Sequence, residues 1–158
     1  MTTEVQTLSH QIRSLLTRVA EAVQGLSQSQ LNWRPSIAGA NSAYAIAAHT
    51  LGNARAWVLG IACGQQVERD RPAEFRASGG DAAVLAAEAK NLSHEIESAL
   101  ASLSPADLER RLVPPPDLFG EGEPYEISVR EALLHVVEHA ALHLGQLQLT
   151  HDLALRNA

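Results

Sequence analysis

Glu138-His139-Ala140-Ala141-Leu142-His143-Leu144-Gly145-Gln146 lies inside a long helical stretch that Ser128 opens and that runs to about Leu153. Four-residue spacing stacks the imidazoles of His139 and His143 on one helix face, about one turn apart. Two neutral imidazoles so placed can share one metal ion, since imidazole suits Zn, Ni, Cu or Fe. A third histidine, His49, sits in an earlier apolar segment, Ala45-Ile46-Ala47-Ala48-His49-Thr50-Leu51. If the two helices pack side by side, three imidazoles converge and leave coordination positions open. Structural sites close with four protein ligands, so an open three-histidine set is the pattern of a catalytic metal.

The rest of the chain also reads as helices. Val5, Leu8, Ile12, Leu15, Leu16, Val19, Val23 and Leu26 recur at helical spacing, which predicts an amphipathic helix ending near Gly25. Ser27-Gln28-Ser29-Gln30 has the form of a small capping box. Ser42 can cap a second helix that carries His49, runs to about Ala62 and stops at Gly64. Residues 64–80, charged and broken by Pro72, Gly79 and Gly80, read as a loop. Asp81 caps a third helix with Leu85, Leu92, Ile96, Ala99 and Leu103 on one face. Ser104-Pro105-Ala106-Asp107 places a cap before a proline and predicts a short turn of helix. Residues 113–126 hold Pro114, Pro115, Pro116, Gly120, Gly122 and Pro124, an irregular connection long enough to rim a site. Ser128, with Glu131 three residues on, opens the fourth helix. The expected fold is all-α, a four-helix bundle in up-down order, formed by residues 1–158 as a single domain. Leu26-Ser27 and Leu103-Ser104 follow the first and third helices alike, a weak internal repeat.

The fourth helix is apolar on more than one side. Leu133, Val136, Val137, Ala140, Leu144 and Leu147 make one face, and Leu134, Ala141, Leu142 and Leu149 cover much of another. Helices apolar nearly all round are buried on several sides. In a four-helix bundle this predicts a second interface, most simply a homodimer.

Composition bounds the function. The chain has 158 residues, 46% hydrophobic and 4% aromatic, with Lys+Arg 12 against Asp+Glu 18 and a net charge of −6. An acidic chain with no basic block lacks the footprint of a nucleic-acid binder. A single cysteine, Cys63, cannot form an internal disulfide and fits a reducing compartment. It reads as a small buried residue, since no basic cluster nearby would lower its pKa. Charges scattered through residues 1–25 leave no signal-peptide core. His49, Asn53 and Arg55 interrupt the most apolar stretch, Ala43 to Ala62, which argues against a membrane span. The expected setting is soluble and cytoplasmic, without membrane or nucleic-acid partners.

His135, His139 and His143 form an i, i+4, i+8 stripe, whose outer members lie about 12 Å apart along the axis. Spacing alone leaves two candidate pairs, 135/139 and 139/143. His135-Val136-Val137-Glu138-His139 also spells the inverted zinc-protease pattern. That motif needs a further acidic ligand and a large substrate chamber, and would leave His143 and His49 without a role. His10, His94 and His151 read as solvent-facing or packed at helix ends, and Trp33 and Trp57 as core or rim.

The order of these parts resembles the DinB-like (DinB/YfiT-like) superfamily of metalloenzymes over nearly the whole chain. A Leu-Ser turn ends the first helix, a loop leads to Ala47-Ala48-His49, and the last helix carries His139-x-x-x-His143-x-Gly145-Gln146. This last segment is the most specific part; many members have Arg where this chain has Leu144. The resemblance implies a dimeric four-helix bundle whose histidine triad binds a divalent metal, Zn or Ni foremost. Matched by position, the ligands are His49, His139 and His143, which selects 139/143 over 135/139. Some members resemble transferases and isomerases that use a low-molecular-weight thiol such as bacillithiol, mycothiol or glutathione. Others resemble metal hydrolases, so the resemblance leaves the reaction open; the expected activity is a thiol-dependent S-transferase acting on a small electrophile in stress or detoxification. The alternatives are a metal-dependent hydrolase and a noncatalytic metal- or ligand-binding stress protein.

Overall fold

Serine and aspartate side chains start most of the helices. In the computed structural model, which describes residues 3–157, α1 spans Thr3–Glu21 and its chain then turns through Gly25 at φ +79°. Ser27 caps the short α2 (Gln28–Asn32), closing a capping box with Gln30. Ser42 caps α3 (Ala43–Ala54) by accepting from the Ala45 N–H. The same helix continues as a π-helical segment over Arg55–Ala62. Cys63 N–H there donates to Val58 C=O, five residues back, at 2.9 Å. Asp81 caps α5 (Ala82–Leu100) through the Ala83 N–H. Ser104 and Asp107 form the capping box of α6 (Pro105–Glu109), so the two Leu-Ser turns do build like elements. Ser128 and Glu131 exchange the same reciprocal bonds at the start of α8 (Val129–Asn157).

Two stretches expected to be irregular contain structure. Residues 64–80 hold α4 (Arg71–Arg76), where Asp70 accepts from the Ala73 N–H and Pro72 sits in the first turn. The 113–126 connection holds α7 (Pro116–Phe119). Its ends are clasped by a two-residue antiparallel pair, β1 (Arg111–Leu112) with β2 (Ile127–Ser128). The last helix also runs four residues beyond the expected end at Leu153.

The architecture is all-α. Helix α1 packs on α5 and α8, and α3 with its π-helical extension packs on α8 and α5, so the four long elements surround one core. Leu16 of α1, Leu51 of α3, Leu92 and Ile96 of α5 and Leu133 of α8 are fully buried there. Burying each such side chain contributes about 1.5–3 kcal/mol. Among the described residues no helix is long and apolar enough to cross a membrane. On the outer side of α8 the leucines expected at an interface are bare: Leu134, Leu142 and Leu149 are exposed.

Contact between α3 and α8 fixes the position of the site, because it sets His49 against the histidine stripe. α4 lies on α3 and is tied from elsewhere as well. Arg34 Nη2 donates to Phe75 C=O at 2.8 Å. Asn32 brackets the backbone of Gly79, accepting from its N–H and donating to its C=O.

Candidate metal centre

His49 is 4% exposed and the side chain closest to it across the helix pair is His139, with the two Nε2 atoms 3.1 Å apart. His143 completes the group: each of His49, His139 and His143 offers a ring nitrogen, and the three nitrogens lie within 4.8 Å of one another. The ring of His143 meets His49 edge-on at 5.0 Å between centroids and His139 at 4.3 Å. Two nitrogens each ~2.1 Å from a common ion, subtending roughly 90–110°, lie about 3.0–3.4 Å apart. The His49–His139 separation falls in that range.

Hydrogen bonds behind the rings set the tautomers. His49 Nδ1 is 2.7 Å from Glu74 Oε2. Ionised carboxylates only accept, so Nδ1 carries the proton and Nε2 presents its lone pair. His143 Nδ1 is 2.9 Å from Gln146 Oε1, which accepts in the same way. Such outer partners fix ring orientation and raise ligand basicity in metal sites. His139 is different, since its buried Nδ1 has no hydrogen-bond partner among the described residues.

Glu74 is itself held. Arg69 clamps its carboxylate with both arms of the guanidinium, Nε to Oε1 at 2.8 Å and Nη2 to Oε2 at 3.0 Å. The third arm, Nη1, donates to Leu118 C=O at 3.1 Å and so reaches α7. Arg69 and Glu74 side chains are only 3% and 10% exposed. Burial pushes the Glu74 pKa up, but hydrogen bonds from His49 and Arg69 and the Arg69 charge outweigh it and hold the carboxyl below its ordinary value. Gly52 on α3 makes room for this arrangement, because a Cβ there would overlap the Glu74 carboxylate.

Two of the three rings, His139 and His143, are held toward the neutral form. Burial, followed by the charges of His143, His49, His135 and Arg69, depresses His139 to about 2. Burial also lowers His143, against an opposing hydrogen bond with Gln146. Neutral imidazole is the form that ligates a metal.

Beside the cluster opens a cavity of about 300 Å³, lined by His49, His139, His135, Trp57, Phe119 and Tyr125 among others. Its apolar walls are stacked rings. Trp57 lies on His135 at 3.7 Å, and Phe119 packs on Trp57 at 5.5 Å and edge-on against Tyr125 at 5.6 Å. Phe75 stacks on His49 at 4.3 Å. His135 faces the Asn53 amide at a long 3.5 Å and does not join the triad. Burial lowers its pKa, with Glu138 opposing.

The triad expected by resemblance is therefore brought together, and His135 lines the adjoining cavity. His10 and His94 are exposed. Cys63 is half-buried and its thiol is pushed up to about 11 by burial, against the Arg110 charge, which suits no nucleophile at neutral pH. Sequence reading missed Arg69, Glu74 and Phe75, and gave Gln146 no role of its own. The one signal for α4 was Asp70-Arg71-Pro72, an N-cap followed by a proline.

The profile of the DinB superfamily matches residues 11–147, from within α1 to about two-thirds of the way along α8. No curated protein matches the chain.

Proposed function

The chain belongs to the DinB superfamily, and from that premise we propose that it is a metal-dependent enzyme that transfers a low-molecular-weight thiol to a small electrophile, in the cytoplasm and in a detoxifying role. The observation that carries the metal is the convergence of three imidazoles, two of them held by a hydrogen bond at Nδ1. His49, His139 and His143 would hold the ion, and Zn or Ni suits an all-imidazole set. When bound, a divalent ion lowers the pKa of a coordinated thiol and so supplies thiolate at neutral pH.

Residues of the chain supply the remainder. Glu74 and Gln146 hold the two outer imidazoles in the ligating tautomer. The rings of Trp57, Phe119 and Tyr125 line the open side. Three protein ligands leave room for a substrate.

Elemental analysis of untagged protein, followed by thiol-consumption assays with glutathione, mycothiol and bacillithiol against a generic electrophile, tests the reading. The expected result is about one metal ion per chain and turnover that chelation abolishes. Metal retention with turnover of esters or amides, and none of thiols, would make the protein a hydrolase. Retention with no turnover of either would make it a noncatalytic binder.

For assembly we infer a homodimer, supported by the exposed apolar run Leu134, Leu142 and Leu149 on α8. Light scattering at micromolar concentration should give twice the chain mass, and Leu142→Glu should lower it. A monomeric wild type would refute the dimer.

A further inference from the structure

The cavity beside the three histidines has two arginines in its lining, and they are not equivalent. Arg69 is spent: every arm of its guanidinium is committed, to Glu74 or to Leu118 C=O, and it is buried. Arg71 is available. Its side chain is 32% exposed, and its one acidic partner, Glu121 at 3.0 Å, is 85% exposed. Surface pairs of that kind hold weakly and exchange readily with solvent or with another anion.

Arg71 is nevertheless well placed. Its guanidinium carbon lies 5.0 Å above the centre of the Phe75 ring, and Phe75 stacks in turn on the metal-facing His49. Cation–π contact over an aromatic face restrains the guanidinium. Its hydrogen-bonding edge meets Glu121 at the cavity mouth. Glu121 sits between Gly120 and Gly122, at φ +107° and +82°, on the connection that rims the cavity. A side-chain carboxylate already occupies the position a ligand carboxylate would take.

We propose that Arg71 forms a carboxylate subsite at the mouth of this cavity, with Glu121 as its displaceable internal occupant, so that the site selects small molecules carrying a carboxylate a few bonds from the group that enters the histidine cluster. This rests on the metal-centre reading for the second half of the statement only. Planar guanidinium matches carboxylate geometry through paired N–H donors. The carboxylate can belong to the thiol or to the electrophile.

The test is binding, read by the fluorescence of the tryptophans, one of which, Trp57, lines the cavity. Succinate and its uncharged dimethyl ester are titrated into zinc-loaded and metal-free protein, wild type and Arg71→Gln, Arg71→Lys and Glu121→Gln. Succinate should bind wild type and the ester should not. Arg71→Gln should weaken succinate by about 10- to 100-fold, the loss of a hydrogen-bonded charge. Arg71→Lys should recover part of that, and Glu121→Gln should tighten binding because the internal competitor is neutral. Zinc content should be unchanged in all three variants. No succinate binding to wild type, equal binding of the ester, or equal affinity in Arg71→Gln overturns the proposal. Arg71-dependent binding in a protein that retains no zinc would keep the subsite and sink the metal reading instead. With turnover in hand, a rise in KM for the thiol alone, or for the electrophile alone, in Arg71→Gln says which partner carries the carboxylate.

Discussion

Two of the arginine–glutamate clusters in this molecule differ in what lies behind them. Arg69 and Glu74 are buried together at the end of α3, and Glu74 passes its hold on to His49. Arg130, at the start of α8, bridges Glu4 of α1 and Glu109 of α6 on the surface, with side chains 30%, 49% and 68% exposed. The ionic chemistry is the same in both. Only the first is desolvated, so only there does removing one partner strand a charge away from water. Only the first touches a ring that faces the cavity. The buried cluster therefore couples stability to the site, while the surface one ties three elements together and nothing more.

Ligand removal should give the largest effect. His49→Ala, His139→Ala and His143→Ala are each expected to abolish stoichiometric metal, a loss beyond the roughly 10- to 100-fold that outer-partner changes cause. His135→Ala, one turn along the same stripe, should leave metal content near wild type. Elemental analysis decides. Equal loss from His135→Ala with none from His143→Ala would restore the 135/139 pair.

Glu74→Ala comes next. It leaves Arg69 buried without its partner and His49 free to turn. Metal affinity should fall by about 10- to 100-fold. Metal-free protein should also lose about 3–5 kcal/mol, the range for breaking a buried pair. Competition with a chelating dye and denaturant unfolding measure the two. Weakened metal with unchanged stability would mean that Arg69 finds water or another acceptor.

These contrasts also show what the sequence could and could not reveal. The cap residues Ser27, Ser42, Asp81, Ser104 and Ser128 were legible because capping is local chemistry at fixed offsets. The all-α reading followed from long periodic stretches, and α8 carried two of the three clustered histidines on one face. Residues 64–80 were misread because α4 has six residues, too few for hydrophobic periodicity to register. Glu74 could not be picked out as the partner of His49, because the pairing spans 25 positions and exists only once α4 lies on α3. The π-helical segment had no readable signal either. Gly60 within it would bring a Cβ to 2.6 Å from Leu118 Cδ1, so its small size serves the approach of α7. That need arises from tertiary packing.

Acid should separate the two clusters. His139 titrates at its ordinary value of 6.5 when unfolded and is held to about 2 when folded. Below 6.5 the unfolded chain binds a proton that the folded one refuses, so stability is lost as pH falls. His135 and His143, both lowered, add the same sign. Glu4, also lowered, matters only below its ordinary 4.5. Metal-free protein should therefore melt at lower temperature at about pH 5 than at about pH 7.5. His139→Gln should flatten that slope, and a slope unchanged in His139→Gln would place the titrating group elsewhere.

The smallest effect is expected at the surface. Glu109→Ala removes one arm of the Arg130 cluster, whose partners remain solvated, and Arg130 keeps Glu4 at 2.7 Å. Exposed pairs are screened by salt and contribute little. The melting temperature should change marginally, less still in high salt, and metal content should not change at all. The metal content is the informative half. Helix α8 carries Arg130 at its start and His139 and His143 further along. If its alignment depended on the surface tie, removing Glu109 would shift both histidines against His49 and metal would be lost. Full metal retention in Glu109→Ala would mean that packing of α8 on α1 and α3 sets the histidine geometry, and that the outer cluster can be changed without touching the inner one.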